Sequence, residues 1–123
     1  AFCDAMKEAG RLCEIGEDKI DAASAISGCG PAFAFVFIDA LADAGVECGL
    51  PRQQALELAE QTLLGSAKTA LDDPRHPAEL KDAVCSPGGT TIAGVHALED
   101  GAFRSAVMAA VVAAYERTLE LKG

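Results

Sequence analysis

Three hydroxyls and two glycines crowd into the short segment "CSPGGTT": Ser86, Gly88, Gly89, Thr90 and Thr91, with Pro87 among them. Glycines let backbone N–H groups approach a ligand with no side chain in the way. The residues that follow, "TIAGVHALE", read as a helix, whose N-terminus points free N–H groups and a positive dipole end at the same spot. Such a place suits a carboxylate or a phosphate, with a hydroxyl beside it. The same residues also suit a proline-glycine turn followed by an N-cap. On residue types alone, anion cradle and plain turn both stand.

The other chemistry-bearing residues offer less. His76 and His96 are far apart and have no partner at ligand spacing, so no metal site is expected. Packing or hydrogen bonding accounts for His96. Lys81 and Asp82, just before the loop, either orient it by ion pairing or belong to a solvated helix surface. Arg104 either steers a carboxylate or is an exposed residue opening the last helix. Cys85 beside the loop is a buried thiol or, less in keeping with its setting, a reactive one. Glu57, Glu60, Glu116 and Glu120 read as surface charge. The five cysteines are odd in number and form no C-x-x-C pair, so buried free thiols in a reducing compartment are expected rather than disulfides.

The elements that must position these groups are helices. The 123 residues suit one domain or part of a larger protein. Half are hydrophobic, with no Trp and one Tyr, and alanine supplies much of that half, which favours close-packed helices. A net charge of -9 disfavours nucleic acid and anionic membrane surfaces as partners. No uninterrupted run of eighteen apolar residues occurs and no signal peptide is visible, so no membrane association is expected. The start at Ala1 rather than Met suggests a beginning further upstream. A helix is expected over 2–9, ended by Gly10, and a short strand over "RLCEI". Helices follow over "GEDKIDAASAIS", over 31–48 behind Pro31, over 51–71 behind Pro51, over "PAELKDAVC", over "TIAGVHALE", and from Ala102 to about Leu121. Leu56, Ala59, Leu63 and Ala67 give one apolar face; Phe103, Val107, Val111, Ala114, Thr118 and Leu121 trace another. Phe33, Phe35, Val36, Phe37 and Ile38 instead surround their helix. A second copy of the chain would cover it, as an interwound homodimer; a central helix in a monomeric bundle is the alternative.

Two long blocks carry a resemblance. "AISGCGPAFAFVFIDALADAGVECGLPRQQA" and "LKDAVCSPGGTTIAGVHALEDGAFRSAVMAAV" resemble, in that order, the signature blocks of Δ1-pyrroline-5-carboxylate reductase. That family joins an N-terminal Rossmann domain to a C-terminal helical dimerisation domain, and this chain is similar to the latter. The resemblance implies an all-α helical bundle forming an interwound homodimer, with or without further assembly. Residues 1–16 would be a helix-strand remnant of the cofactor domain, and 17–123 the dimerisation and substrate-binding domain. It implies reduction of 1-pyrroline-5-carboxylate to L-proline with NADP or NAD as cofactor in the full-length protein; the free thiols make the cytoplasm the expected location. No dinucleotide would bind to this chain alone: "GCGPAF" puts a proline where the G-x-G-x-x-G fingerprint continues, and lies between helices. Ser86, Gly88, Gly89, Thr90 and Thr91 would hold the substrate carboxylate, and Thr91 would place its hydroxyl near the ring nitrogen as the catalytic group. Cys29 and Phe33 depart from the family's usual serine and tyrosine, each removing a hydroxyl. A stand-alone dimerisation module and a binding protein for proline-like amino acids are the alternatives.

Overall fold

The computed structural model describes residues 13–123. The helix expected over 2–9 and the first two residues of "RLCEI" lie outside the described residues. The rest of that segment, Cys13, Glu14 and Ile15, is exposed and has no regular structure. The expected strand is therefore not formed there: an extended segment needs a neighbouring ladder to satisfy its backbone, and no described residue is in a strand.

After a 3₁₀ turn, Glu17–Lys19, six α-helices follow: α1 Ile20–Ser27, α2 Gly30–Glu47, α3 Arg52–Asp72, α4 Pro77–Val84, α5 Thr90–Asp100 and α6 Phe103–Lys122. Prolines set three of the starts, as expected: Pro31 and Pro77 stand in the first turns of α2 and α4, and Pro51 precedes α3.

The α2–α3 pair is the best-packed part of the chain. A Schellman motif ends α2, with Gly49 N–H donating to Val46 O at 2.9 Å and Leu50 N–H to Gly45 O at 2.9 Å. It folds α3 back along α2. Ala42, Ala55 and Ala59 are buried between them, flanked by Ile38 and Leu56. The backbones come so close that a Cβ on Gly45 would sit 3.0 Å from that of Ala55. Arg52 and Asp43 tie the surface of the pair at 2.7 Å.

A second group is built on α6. It packs against α1 and α5, with Ala25 of α1 buried and Lys122 reaching Asp21 at 2.9 Å. Phe37 of α2 meets Phe103 at the start of α6, ring centroids 5.7 Å apart, and links the two groups. Between α5 and α6, Ala102 carries the left-handed conformation (φ 54°) where the sequence suggested that Gly101 alone makes the break. A side chain in that region costs about 1 kcal/mol.

Among the described residues, the four buried hydrophobic ones are all alanines, and no large side chain is fully buried. The expected apolar faces are only partly covered. Val111, Ala114 and Thr118 of α6 are half-buried, whereas Leu121 is exposed. Leu63 is half-buried and Ala67 exposed. Around α2, Phe33, Phe37 and Ile38 are half-buried, while Phe35 and Val36 are 67% and 69% exposed. None of the four described cysteines is buried, contrary to expectation: Cys29 and Cys85 are half-buried, Cys13 and Cys48 exposed, and all four are free thiols. The chain exposes 9512 Å², half as much again as the roughly 6,200 Å² of a compact monomer of this mass.

One helical stretch, Glu17–Glu47, contains an 18-residue window of mean hydropathy 1.7, long and apolar enough by composition to cross a membrane. The window qualifies without an unbroken apolar run, because an average tolerates interspersed glycine and aspartate.

Replacing Ala42 tests the alanine seam directly. Ala42→Leu forces extra volume into a site with no exposed surface, and should lower unfolding free energy by about 1–3 kcal/mol, read by urea denaturation. An unchanged midpoint would show that α2 and α3 do not pack this closely.

Candidate functional site

The CSPGGTT segment joins α4 to α5. Cys85 ends α4, its N–H donating to Asp82 O at 3.1 Å. The chain then turns through Ser86, Pro87, Gly88 and Gly89, closed by Gly89 N–H donating to Ser86 O at 3.1 Å. Proline at the second turn position and a positive φ of 67° at Gly88 are the requirements of a type II turn. Gly89 is the N-cap of α5, in extended conformation. A Cβ there would collide with Ser86 Oγ and lie 3.2 Å from Ser86 O. Each glycine thus has its own reason: Gly88 supplies the left-handed turn, and Gly89 lets Ser86 lie against the start of α5.

Thr90 and Thr91 are the first two residues of α5. The first helical bond runs from Ala93 N–H to Gly89 O at 3.5 Å, so the N–H groups of Thr90, Thr91 and Ile92 have no acceptor within the helix. Gly89 gives α5 no side-chain cap. The Ser86, Thr90 and Thr91 hydroxyls make no hydrogen bond to another described residue, and all three residues are exposed. Ser86 Oγ, three backbone amides and two threonine hydroxyls therefore collect at one exposed helix end. The Gly89 amide is not among the free donors, because the turn uses it.

Other candidates fall away from this place. Arg104 pairs with Glu99, Nε to Oε1 at 3.0 Å, at the opposite end of α5. Eleven helical residues put that pair about 15 Å from the loop. His96 lies along α5, exposed, with Nε2 3.6 Å from Asp100. Lys81 is half-buried and 3.2 Å from its neighbour Asp82. No cluster of His, Cys, Asp or Glu among the described residues could hold a metal.

Sequence reading missed two features of the α3–α4 connection. In the first, Arg75 grips Asp73 with its backbone N–H at 2.9 Å and its guanidinium at 2.9 and 3.1 Å. The Arg75 side-chain hydrogen bond holds the Asp73 carboxyl below its ordinary value, and Asp73 in turn raises the guanidinium. In the second, His76 caps α4, its Nδ1 accepting from Ala78 N–H at 3.0 Å. Histidine is not among the usual capping residues, so the sequence carried no signal for it.

The family description "Pyrroline-5-carboxylate reductase dimerisation" matches residues 17–121. The chain belongs to that family. Among pyrroline-5-carboxylate reductases, the human protein designated number 2 is 54% identical over 117 residues, which cover 95% of this chain and 37% of that protein. The Arabidopsis thaliana reductase is 54% identical over 112 residues, covering 91% and 41%. Among solved structures, the Coxiella burnetii reductase superposes with a TM-score of 0.90 at 37% identity, covering 98% of this chain and 45% of that one. The Plasmodium falciparum enzyme, solved with NADP bound, gives 0.85 at 42% identity, covering 94% and 44%. The chain thus spans about two fifths of the length of these reductases, and the part it spans is the helical dimerisation region.

Gly89→Ala tests the geometry of the loop. The methyl group should displace Ser86 while leaving the helix content by circular dichroism unchanged, and should shift the amide resonances of Thr90 and Thr91. Unshifted resonances would mean that Ser86 does not lie against Gly89.

Proposed function

We propose that this chain is the dimerisation and substrate-binding part, residues 17–123, of an NAD(P)H-dependent pyrroline-5-carboxylate reductase, acting in the cytoplasm. Residues 1–16 belong in this reading to the end of a preceding cofactor domain. The observation that carries it is the unsatisfied N-terminus of α5, with Ser86 Oγ and Thr91 Oγ1 beside it, in a chain of this family.

The substrate, 1-pyrroline-5-carboxylate, carries a carboxylate and a ring C=N bond. The carboxylate accepts hydrogen bonds from the N–H groups of Thr90, Thr91 and Ile92 and from Ser86 Oγ, and the helix end favours its charge. Those amides are fixed by the helix before the ligand arrives, so little reorganisation is needed on binding. Thr91 presents its hydroxyl to the ring nitrogen, which accepts a proton as the C=N bond is reduced. The rest of the rate enhancement comes from holding the imine carbon in place for hydride transfer.

A reduced nicotinamide nucleotide supplies that hydride, and the residues of this chain do not fit one. The only glycine pair resembling a dinucleotide fingerprint, Gly28 and Gly30, separates two helices and is followed by Pro31, with no described strand before it. The cofactor belongs in this reading to the part of the protein outside this chain.

The exposed apolar surface supports the homodimer. Phe35, Val36 and Met108, at 67%, 69% and 68% exposure, are poor solvent-facing residues. The excess area over a compact monomer, about 3,300 Å² per chain, exceeds the roughly 1,000–2,500 Å² per partner that an obligate interface buries, so it is ample for one. The apolar window of Glu17–Glu47 is assigned to the same contact between chains. Sedimentation equilibrium of this chain at micromolar concentration should return about twice 12.6 kDa. A mass near 12.6 kDa would overturn the dimer, and partition into lipid vesicles would move the window to a membrane.

Thr91→Ala in the complete protein should lower kcat on the order of 10²-fold. Because Thr91 is exposed, stability should change by no more than about 0.5 kcal/mol. Unchanged turnover with the dimer intact would remove Thr91 from the mechanism. No proline formation by the unsubstituted complete protein would leave dimerisation or ligand binding as the function.

A further inference from the structure

The first turn of α4 ends on a single residue. Pro77 has no N–H to satisfy. Ala78 N–H donates to His76 Nδ1 at 3.0 Å, and Glu79 N–H and Leu80 N–H both donate to His76 O, at 2.8 and 3.2 Å. Every amide of that turn is therefore held by His76. The helix it holds is eight residues long, too short to be stable alone, and packs extensively on no other helix. At its far end, Cys85 leads directly into the Ser86–Gly89 turn.

We propose that His76 is a positioning residue for the Ser86–Thr91 loop, and that it holds the loop only while its Nδ1 is unprotonated. An imidazolium has no lone pair left to accept from Ala78, and it places a positive charge at the positive end of α4. Both effects loosen the helix in the same direction. The surrounding charges do not reverse them. Asp73 is engaged by Arg75, at 2.9 Å, and on α3 Asp72 is engaged by Lys68, at 2.8 Å. Glu79, on the first turn of α4 itself, is solvent-exposed, so water and salt screen any attraction between it and the new charge. The consequence for substrate rests on the reductase reading; the consequence for α4 does not.

Two measurements on the complete protein separate these. In the first, ¹⁵N spectra of His76 at pH 8 should show an unprotonated Nδ1 and a protonated Nε2. Hydrogen-exchange protection of Ala78, Glu79 and Leu80 should fall about fivefold between pH 8 and 5.5, with α2 unaffected. His76→Asn keeps a side-chain acceptor and should make that protection independent of pH; His76→Ala should lower it at both values. In the second, KM for pyrroline-5-carboxylate should rise at acid pH more in the unsubstituted protein than in His76→Asn, with kcat alike in the two. A protonated Nδ1 at pH 8, or the same pH dependence of protection in His76→Asn, overturns the proposal. So does a KM profile that His76→Asn leaves unchanged. Absence of reductase activity in the unsubstituted protein overturns the functional reading alone, because tautomer and exchange need no turnover.

Discussion

Backbones meeting on alanine, rather than buried large side chains, hold this chain together. Ala42, Ala55 and Ala59 let α2 and α3 approach until Gly45 has almost no space for a side chain. Close approach gains many dispersion contacts, but each alanine removes little apolar surface from water. The larger residues, Phe35, Val36, Leu58 and Met108 among them, are left facing outwards. A seam of this kind fixes the geometry of two helices without supplying a full hydrophobic core, so the chain presents apolar surface as a consequence of how it packs. The proposed dimer is the natural completion of that arrangement.

The loop depends on the same economy of side chains. Gly88 permits the turn, Gly89 admits Ser86 against the start of α5, and the missing cap leaves three amides unsatisfied. A capping side chain at position 89 would have gained only roughly a few tenths of a kcal/mol over glycine, and its Cβ would have displaced Ser86 and closed the site. The chain forgoes that stability and keeps the donors free. On the other side of the loop, α4 is short and little packed, so its order depends on local hydrogen bonds at its two ends. The proposed substrate loop thus sits between a fixed helix end and a lightly held one.

Much of the helical layout was legible in the residues, because prolines and glycines mark it. Pro31, Pro51 and Pro77 lie at helix starts, and Gly49 sits in the turn after α2. The loop was legible as a possible cradle for the same reason: two glycines before a helical pattern leave few other shapes. Over Cys13–Ile15 the expected strand does not form, because alternation describes a strand only when a neighbour pairs with it. The Leu121 end of α6 misled because periodicity says which residues share a face, and not whether anything covers that face.

By itself, the sequence determined the all-helical class, the helix starts and the family, since these follow from local backbone restrictions and from long stretches of residue identity. Only the tertiary structure decided that the Gly89 amide is consumed by the turn, that Ala102 takes the left-handed position, that Arg104 sits at the far end of α5, and that His76 secures α4. Each of these depends on which atoms come within about 3 Å of one another, the reach of a hydrogen bond. A one-dimensional pattern does not encode that distance until the helices have packed.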